Sequence, residues 1–267
     1  MMTSAAQQKV RSIMRSSSHR GMVCLGRIST SNVALIVSII APNYPHSFHG
    51  LGHKISHPNL PNLVQKYLFE KAHPDDNPET NDSPTQPTQI NVSHADHIKV
   101  FHSACTIFCA LSNPSATTSM YHETVRATPF WNQGKIPGPQ YDCILVSGGS
   151  GPEGHSMSDF LVARVLLFFS FTLDNELHQC ALIHWFSVSG DQPDPDNGMW
   201  VVTPDYIDSS RSLAIIHIDS IFRATHLLPI FDSTPLPQTL HYTTALDSFQ
   251  GFYLNTYINY HMFKTLT

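Results

Sequence analysis

A glycine-rich segment offers the most direct candidate for chemistry in this sequence. The residues from Gly149 to Gly154 match GxGxxG after a predicted strand, and Asp174 lies 20 residues beyond the last glycine. This spacing is typical of dinucleotide sites, in which the third glycine opens a helix that holds the pyrophosphate. A dinucleotide-dependent oxidoreductase therefore predicts a helix over 158–169 and a parallel sheet. The residues after the loop alternate like a strand and Pro152 stiffens the loop, which favours a hairpin turn.

Histidine is abundant, with 17 residues, and suggests a metal site. Two groups are close in sequence: His46, His49, His53 and His57, and the pair His94 and His97. Prolines and glycines interrupt the first group, so no helix is predicted to bring its rings to one face. Because a zinc site needs three or four convergent ligands, we predict loop histidines and no metal centre.

Two strand histidines are candidates for acid–base chemistry. His184 and His217 lie in predicted strands, and His217 shares a face with Asp219. A carboxylate that orients a histidine is half of a catalytic pair, but no recognisable nucleophile motif accompanies them. We therefore predict partly buried, hydrogen-bonded histidines and no catalytic residue.

Three aspartates, Asp191, Asp194 and Asp196, suggest a calcium loop. A loop that starts at Asp194 has Met199 at the sixth position, where calcium loops need glycine. An acidic turn is the preferred interpretation.

Four aromatic residues are the candidate ligand-binding residues. Trp185, Phe186, Trp200 and Tyr206 could form a cage for a cationic or methylated lysine on a small barrel. Aromatic residues on strands more often belong to the core, which is the alternative interpretation.

Closely spaced strands joined by short polar turns must position these residues. Predicted strands cover 141–147, 163–173 (with one buried face), 180–186, 199–203 and 213–219, and 221–231 adds one or two more; 98–111 could be strand or helix. The pattern predicts an α+β, mainly β protein whose centre is a small antiparallel β-barrel over 98–232.

Helices and irregular segments flank the predicted barrel. We expect a disordered, acid-free arm over 1–57, a short helix over 58–72 that Asn59 and Pro61 begin, and a proline-rich polar linker over 73–97. Leu246, Phe249, Tyr253, Tyr257 and Tyr260 recur at spacings of three and four. This spacing predicts one aromatic-faced helix over 233–267 that packs on the barrel.

The charge is unevenly distributed. The chain has 267 residues, 41% of them hydrophobic and 13% charged, with a net charge of −5. Residues 1–69 hold seven of the 15 Lys and Arg residues and no acid, so they carry +7, and the 20 acids and eight bases that follow give −12. DNA binding requires a basic face, so only weak DNA contact through the arm is expected.

The composition also suggests in which cellular compartment the protein is found. The acid-free N-terminus has the composition of a mitochondrial transit peptide, while a disordered extension is the plainer interpretation. The five cysteines are Cys24, Cys105, Cys109, Cys143 and Cys180, with no CxxC pair, so a reducing compartment, nuclear or cytoplasmic, is expected. Cys105 and Cys109 lie in an apolar stretch and are expected to be buried. No apolar run is long enough to cross a membrane.

Several phrases occur in the order of one known family. They are RATPFW (126–131), YDCILV (141–146), ARVLLFFSF (163–171), CALIHWFS (180–187), GMWVVTPD (198–205), IIHIDSIFRATHLLPIF (215–231) and LDSFQGFYLNTYINYHMF (246–263), after HPNLPNLVQKYLFEKAHPDD (57–76). Together they resemble the C-terminal region of Plavaka-type transposases, a CACTA-like group of DNA transposons in mushroom-forming fungi. The likeness covers residues 48–267.

The resemblance implies a fragment without the catalytic core. Transposases of this kind cut DNA with carboxylates that hold two metal ions, and that core lies upstream of the matching region. The barrel is also loosely similar to bromo-adjacent homology modules of chromatin proteins, an analogy of fold alone. The expectation is a non-catalytic, transposon-derived protein or chromatin interaction module that needs no cofactor. The alternatives are the oxidoreductase and an expressed relic without selected function.

Overall fold

The computed structural model describes residues 32–35, 44–73, 96–109, 120–131, 138–148, 157–231, 236 and 240–266. The helices in these segments are α1 (Phe48–Lys54), α2 (Leu60–Ala72), α3 (Ala245–Ser248) and α4 (Tyr260–Leu266). The strands are β1 (Asn32–Leu35), β2 (Asp96–Phe101), β3 (Ser103–Cys109), β4 (Met120–Trp131), β5 (Gly138–Tyr141), β6 (Cys143–Ser147), β7 (Phe160–Leu173), β8 (Glu176–Ser189), β9 (Trp200–Pro204), β10 (Tyr206–Ile207), β11 (Ser210–Arg211), β12 (Leu213–His217), β13 (Ile221–Thr225), β14 (Leu227–Pro229) and β15 (Phe252–Leu254).

The larger sheet forms a nearly closed antiparallel barrel. Its strands follow the order β13-β6-β7-β8-β9-β15-β14, while β12 pairs with β8 and β2 pairs with β7. The two end strands of this order, β13 and β14, are consecutive in the chain with only His226 between them, so the chain itself connects the two ends of the ladder. A smaller sheet, β1-β3-β4-β5, and the hairpin β10-β11 complete the described strands. The predicted mainly β, antiparallel barrel fold is confirmed.

The long hairpin β7-β8 is the centre of the barrel. Its turn places Asp174 and Asn175 at φ 51° and 62°, the left-handed conformation that a two-residue hairpin turn requires and that Asp and Asn tolerate. Both faces of β7 are buried, so the predicted single buried face is wrong. Val165 and Phe168 lie in one hydrophobic cluster with β6 and β8, whereas Phe169 belongs to a second cluster under α1 and α2. The helices therefore cover the face of Phe169, which strand alternation predicts to be buried, and the barrel buries the opposite face at Phe168 as well.

The two N-terminal helices form one layer on this face. The predicted helix is present at Leu60–Ala72, with a proline in its first turn. The prediction of disorder is wrong for Phe48–Lys54, where the Ser47 hydroxyl accepts a hydrogen bond from Gly50 N and begins α1. The Phe48 ring packs edge-on against Phe171, with 5.1 Å between centroids. Residues 32–35 of the predicted arm form strand β1, so the prediction of disorder is wrong there as well. The predicted arm at 1–31 and 36–43 and the predicted linker at 74–95 lie outside the described residues.

The C-terminal segment is part of the barrel. The predicted single helix over 233–267 is wrong, because the chain forms the short helix α3, strand β15 and helix α4. Strand β15 pairs with β9 on one side and β14 on the other. The barrel therefore extends beyond residue 232, and Phe252 and Leu254 fill a third hydrophobic cluster with Phe186.

Candidate functional site

An exposed group of apolar side chains lies at the C-terminal end of the chain. We call Tyr257, Ile258, Tyr260 and Phe263 the C-terminal aromatic surface, since each is more than a third exposed although large and apolar. Scattered apolar residues are common on protein surfaces, but four within seven positions form a concentrated group. Groups of this kind are typical of binding surfaces.

Local sequence explains why these residues face outward. The Asn259 side chain accepts a hydrogen bond from Met262 N at 2.8 Å and caps the first turn of α4. From this start the helix buries His261, Met262, Thr265 and Leu266. Helical geometry then places Tyr260 and Phe263, three positions apart, on the opposite, solvent-facing side.

The ring of Tyr257 is fixed against the loop between β8 and β9. Its hydroxyl donates a hydrogen bond to Asn197 O at 3.0 Å, and its backbone N–H donates to the Asn255 side chain at 3.1 Å. Gly198, at φ 70°, passes so close that an added Cβ would lie 2.9 Å from the Tyr257 hydroxyl. The aromatic surface and this loop therefore form one continuous region.

The β8-β9 loop carries the predicted acidic turn. The Asp194 carboxylate accepts hydrogen bonds from Asp196 N at 3.0 Å and Asn197 N at 3.2 Å, and from the Tyr253 hydroxyl at 3.3 Å. The Asp194 carboxylate therefore stabilises the turn through hydrogen bonds to the backbone, the arrangement of an Asx turn. Asp191 and Asp196 are exposed, and within the described residues neither forms an ion pair. Asp196 therefore leaves negative charge next to Asn197, the residue that Tyr257 contacts.

The four residues of the predicted aromatic cage do not converge. Trp185 and Phe186 are consecutive on β8 and point to opposite sides of the sheet, into separate hydrophobic clusters. Trp200 packs beside the cluster of Phe186, and Tyr206 is exposed on the β10-β11 hairpin. The cage prediction is wrong, because two of its members are core residues on different faces.

The two strand histidines have structural partners. His184 is buried, and its Nε2 forms a hydrogen bond with Asp205 O at 2.9 Å. Burial lowers the pKa of His184, and Arg211 and Arg164 lower it further. His217 Nδ1 accepts a hydrogen bond from Asp219 N at 3.3 Å and caps the turn after β12. The predicted hydrogen-bonded, partly buried histidines are present.

The thiols differ from the sequence-based expectation. Cys105 was predicted to be buried but is only partly buried, with its Sγ 3.6 Å from His122 Nδ1, because it points to the opposite face of β3 from the buried Ala104 and Thr106. Cys143 and Cys180 are the buried thiols, and burial raises the pKa of each to about 12. Cys24 and the side chain of Cys109 lie outside the described part of the chain.

A polar cluster joins helix α2 to the hairpin β7-β8. Lys71 Nζ donates to the Glu176 carboxylate at 2.6 Å and to His178 Nδ1 at 3.4 Å. His178 is buried and stacks on Phe171, with ring centroids 4.7 Å apart. Because an ammonium group only donates, Nδ1 of His178 must carry no proton, so that it can accept this hydrogen bond.

This cluster predicts that the protein loses stability in mild acid. Burial and the nearby Lys71 lower the pKa of His178 below its ordinary 6.5. Above a pH of about 6.5 both states are unprotonated at this residue, and the contribution of His178 to the free energy of unfolding is fully present. As the pH falls below about 6.5, the unfolded chain binds the proton before the folded chain does, so the free energy of unfolding decreases. Urea unfolding at pH 7.5, 6.5 and 5.5 measures this decrease. His178→Phe preserves the ring stacking and removes the ionisation, so its pH dependence should be shallower. Equal stability at the three pH values would refute the assignment.

The dinucleotide hypothesis conflicts with the described backbone. The glycine loop at 149–154 lies outside the described residues, but the segment after it is the strand Phe160–Leu173, not a helix. This strand pairs antiparallel with both β6 and β8. A pyrophosphate site of this kind needs the N-terminus of a helix at this point and a parallel sheet, and neither is present there.

Comparisons with known proteins found no match. No protein-family model, curated protein or solved structure matches the chain significantly. In the described segments no helix is long and apolar enough to span a bilayer, and no group of three or more His, Cys, Asp or Glu residues could hold a metal ion.

The C-terminal aromatic surface was not predicted from the sequence. The spacing of the aromatic residues placed Tyr257 and Tyr260 on the buried face of a long helix, whereas both are exposed. Asn255 and Asn259 are the signals that could have located the turn and the start of α4, because Asn is a frequent turn and cap residue.

Proposed function

We propose that this protein is a non-catalytic, transposon-derived interaction module that binds a protein or chromatin partner through its C-terminal aromatic surface. The ordered family phrases over 48–267 support the transposon origin. The exposed aromatic surface is the single observation that supports binding. Tyrosine is enriched among the residues that contribute most to protein interfaces, because its large, rigid side chain loses little conformational entropy.

Two further observations favour binding over catalysis. The buried histidines His178 and His184 are engaged by a lysine and a backbone carbonyl, so both serve packing and hydrogen bonding. The core of the barrel is filled with large side chains, including Phe168 and Ile183. A surface site therefore suits this fold better than a pocket inside the barrel.

Selection from a random peptide library displayed on phage tests this function without knowledge of the partner. We expect the full chain to enrich peptides whose affinity falls by about thirtyfold in the variant Tyr260→Ser/Phe263→Ser, the equivalent of ~2 kcal/mol for a hot-spot aromatic residue. Tyr260 is 52% exposed and Phe263 is 37% exposed, and neither belongs to a hydrophobic core cluster, so the fold should be retained. Fluorescence anisotropy with labelled peptides measures the change.

Leu177→Ala is the matched control, because Leu177 is an exposed apolar residue at the opposite end of β8. Peptides that bind the wild type should bind this variant equally well. The proposal fails if the wild type enriches no peptide, or if the enriched peptides bind Tyr260→Ser/Phe263→Ser as tightly as the wild type.

A further inference from the structure

Negative charge borders the aromatic surface on the side of the β8-β9 loop. Tyr257 touches this loop at Asn197, which directly follows the exposed Asp196. Asp191 lies at the start of the same loop and is also exposed. Asp196 therefore lies next to the residue that Tyr257 contacts, and Asp191 adds a second exposed carboxylate to the same loop.

The local charge balance is acidic. Helix α4 contributes one lysine, Lys264, whereas the loop contributes the three carboxylates of Asp191, Asp194 and Asp196. From residue 70 onward the chain carries eight bases against 20 acids. A basic partner gains favourable electrostatics from this distribution, whereas an acidic partner or a phosphate backbone is repelled.

The combination of aromatic rings and carboxylates fits one kind of ligand. Lysine and arginine side chains interact with the faces of tyrosine and phenylalanine rings through cation–π contacts, and their charged ends pair with carboxylates. Their long aliphatic stems also cover apolar surface. Each lysine or arginine can therefore contact an aromatic ring and pair with a carboxylate at the same time.

We propose that the C-terminal aromatic surface and the acidic β8-β9 loop together bind an extended, lysine- and arginine-rich segment of a partner protein. This inference rests on the proposed function and adds the chemistry of the partner. The basic residues contact Tyr257, Tyr260 and Phe263 with their aliphatic stems and charged ends. Asp191 and Asp196 pair with the positive charge. Apolar residues of the same segment cover Ile258.

Defined peptides test the charge preference. One peptide alternates Lys or Arg with Leu, and its counterpart has Gln at every basic position. We expect the wild type at low salt to bind the basic peptide about fivefold more tightly, the effect of two exposed ion pairs, with the difference shrinking as salt screens it. Isothermal titration calorimetry on the full chain measures both affinities.

Asp191→Asn/Asp196→Asn removes the two exposed charges and should abolish most of this preference. Asp174→Asn is the control of the same chemistry, because Asp174 lies in the turn at the other end of β8 and tolerates Asn at its positive φ. This control should preserve the preference of the wild type.

The outcomes separate the two proposals. If both peptides bind the wild type equally and both lose affinity in Tyr260→Ser/Phe263→Ser, the aromatic surface binds partners but the basic preference is wrong. A preference that persists in Asp191→Asn/Asp196→Asn also overturns the inference. If the wild type binds neither peptide, the inference is also contradicted. The library selection then still tests whether the C-terminal aromatic surface binds a partner of another chemistry.

Discussion

Replacing Asp247 by alanine should lower the free energy of unfolding by roughly 2–3 kcal/mol. Asp247 Oδ1 accepts a hydrogen bond from Arg164 Nη1 at 2.9 Å and also pairs with Arg211. The Arg164 side chain is only 5% exposed, with its guanidinium 5.3 Å from the centroid of the Tyr141 ring. Removing one partner of a buried pair leaves the other charge poorly solvated, which costs ~3–5 kcal/mol when both are fully buried. Asp247 is about a third exposed, so water reduces the cost.

Urea unfolding of Asp247→Ala and Asp247→Asn measures this contribution. The asparagine variant retains one acceptor oxygen for Arg164 and should lose less stability than the alanine variant. Asp219→Ala is the surface control; the Asp219 carboxylate is more than half exposed beside His217, and its loss should cost less than ~1 kcal/mol. Asp247→Ala with wild-type stability would show that α3 does not hold Arg164.

Truncating Phe252 to alanine should lower the free energy of unfolding by about 3–5 kcal/mol, the usual cost of removing a buried phenylalanine. Phe252 is fully buried in β15, with its ring 5.9 Å from Phe186 and 6.4 Å from Phe249. The side chain therefore connects the C-terminal segment to the central hairpin. Phe231→Ala is the control, because Phe231 is 63% exposed and its loss should change stability by less than ~0.5 kcal/mol. Equal effects of the two substitutions would mean that the C-terminal segment is not part of the barrel.

Strand alternation and turn residues were sufficient to predict the barrel. The predicted strand at 180–186 lies within β8, and the predicted strand at 213–219 overlaps β12. Asp174 and Asn175, which form the hairpin turn, are residue types that tolerate positive φ. These signals are local, so sequence alone contains them.

The elements that sequence reasoning missed depend on tertiary contacts. Gly50 and Gly52 argue against a helix by propensity, yet an added Cβ at Gly52 would lie 2.7 Å from His57 O. The glycine is thus required by the close approach of the segment after α1, and burial of Phe48 and Leu51 outweighs its low helix propensity. Strand β15 has three residues, too few to show a period.

The candidate site was predictable only in part. The acidic turn at Asp194 was recognised from its composition, but its contact with Tyr257 depends on how β15 brings the C-terminal chain beside the β8-β9 loop. The aromatic cage could have been excluded from the sequence, because consecutive strand residues such as Trp185 and Phe186 point to opposite faces.

The affinity of library-selected peptides for the wild type and for Tyr260→Ser/Phe263→Ser tests the central claim most directly, with Leu177→Ala measured beside them. The account predicts tight binding to the wild type and to Leu177→Ala, and a loss of about thirtyfold in the double variant. Equal affinity for all three proteins, with the fold of each intact by circular dichroism, would contradict a binding function for the C-terminal aromatic surface.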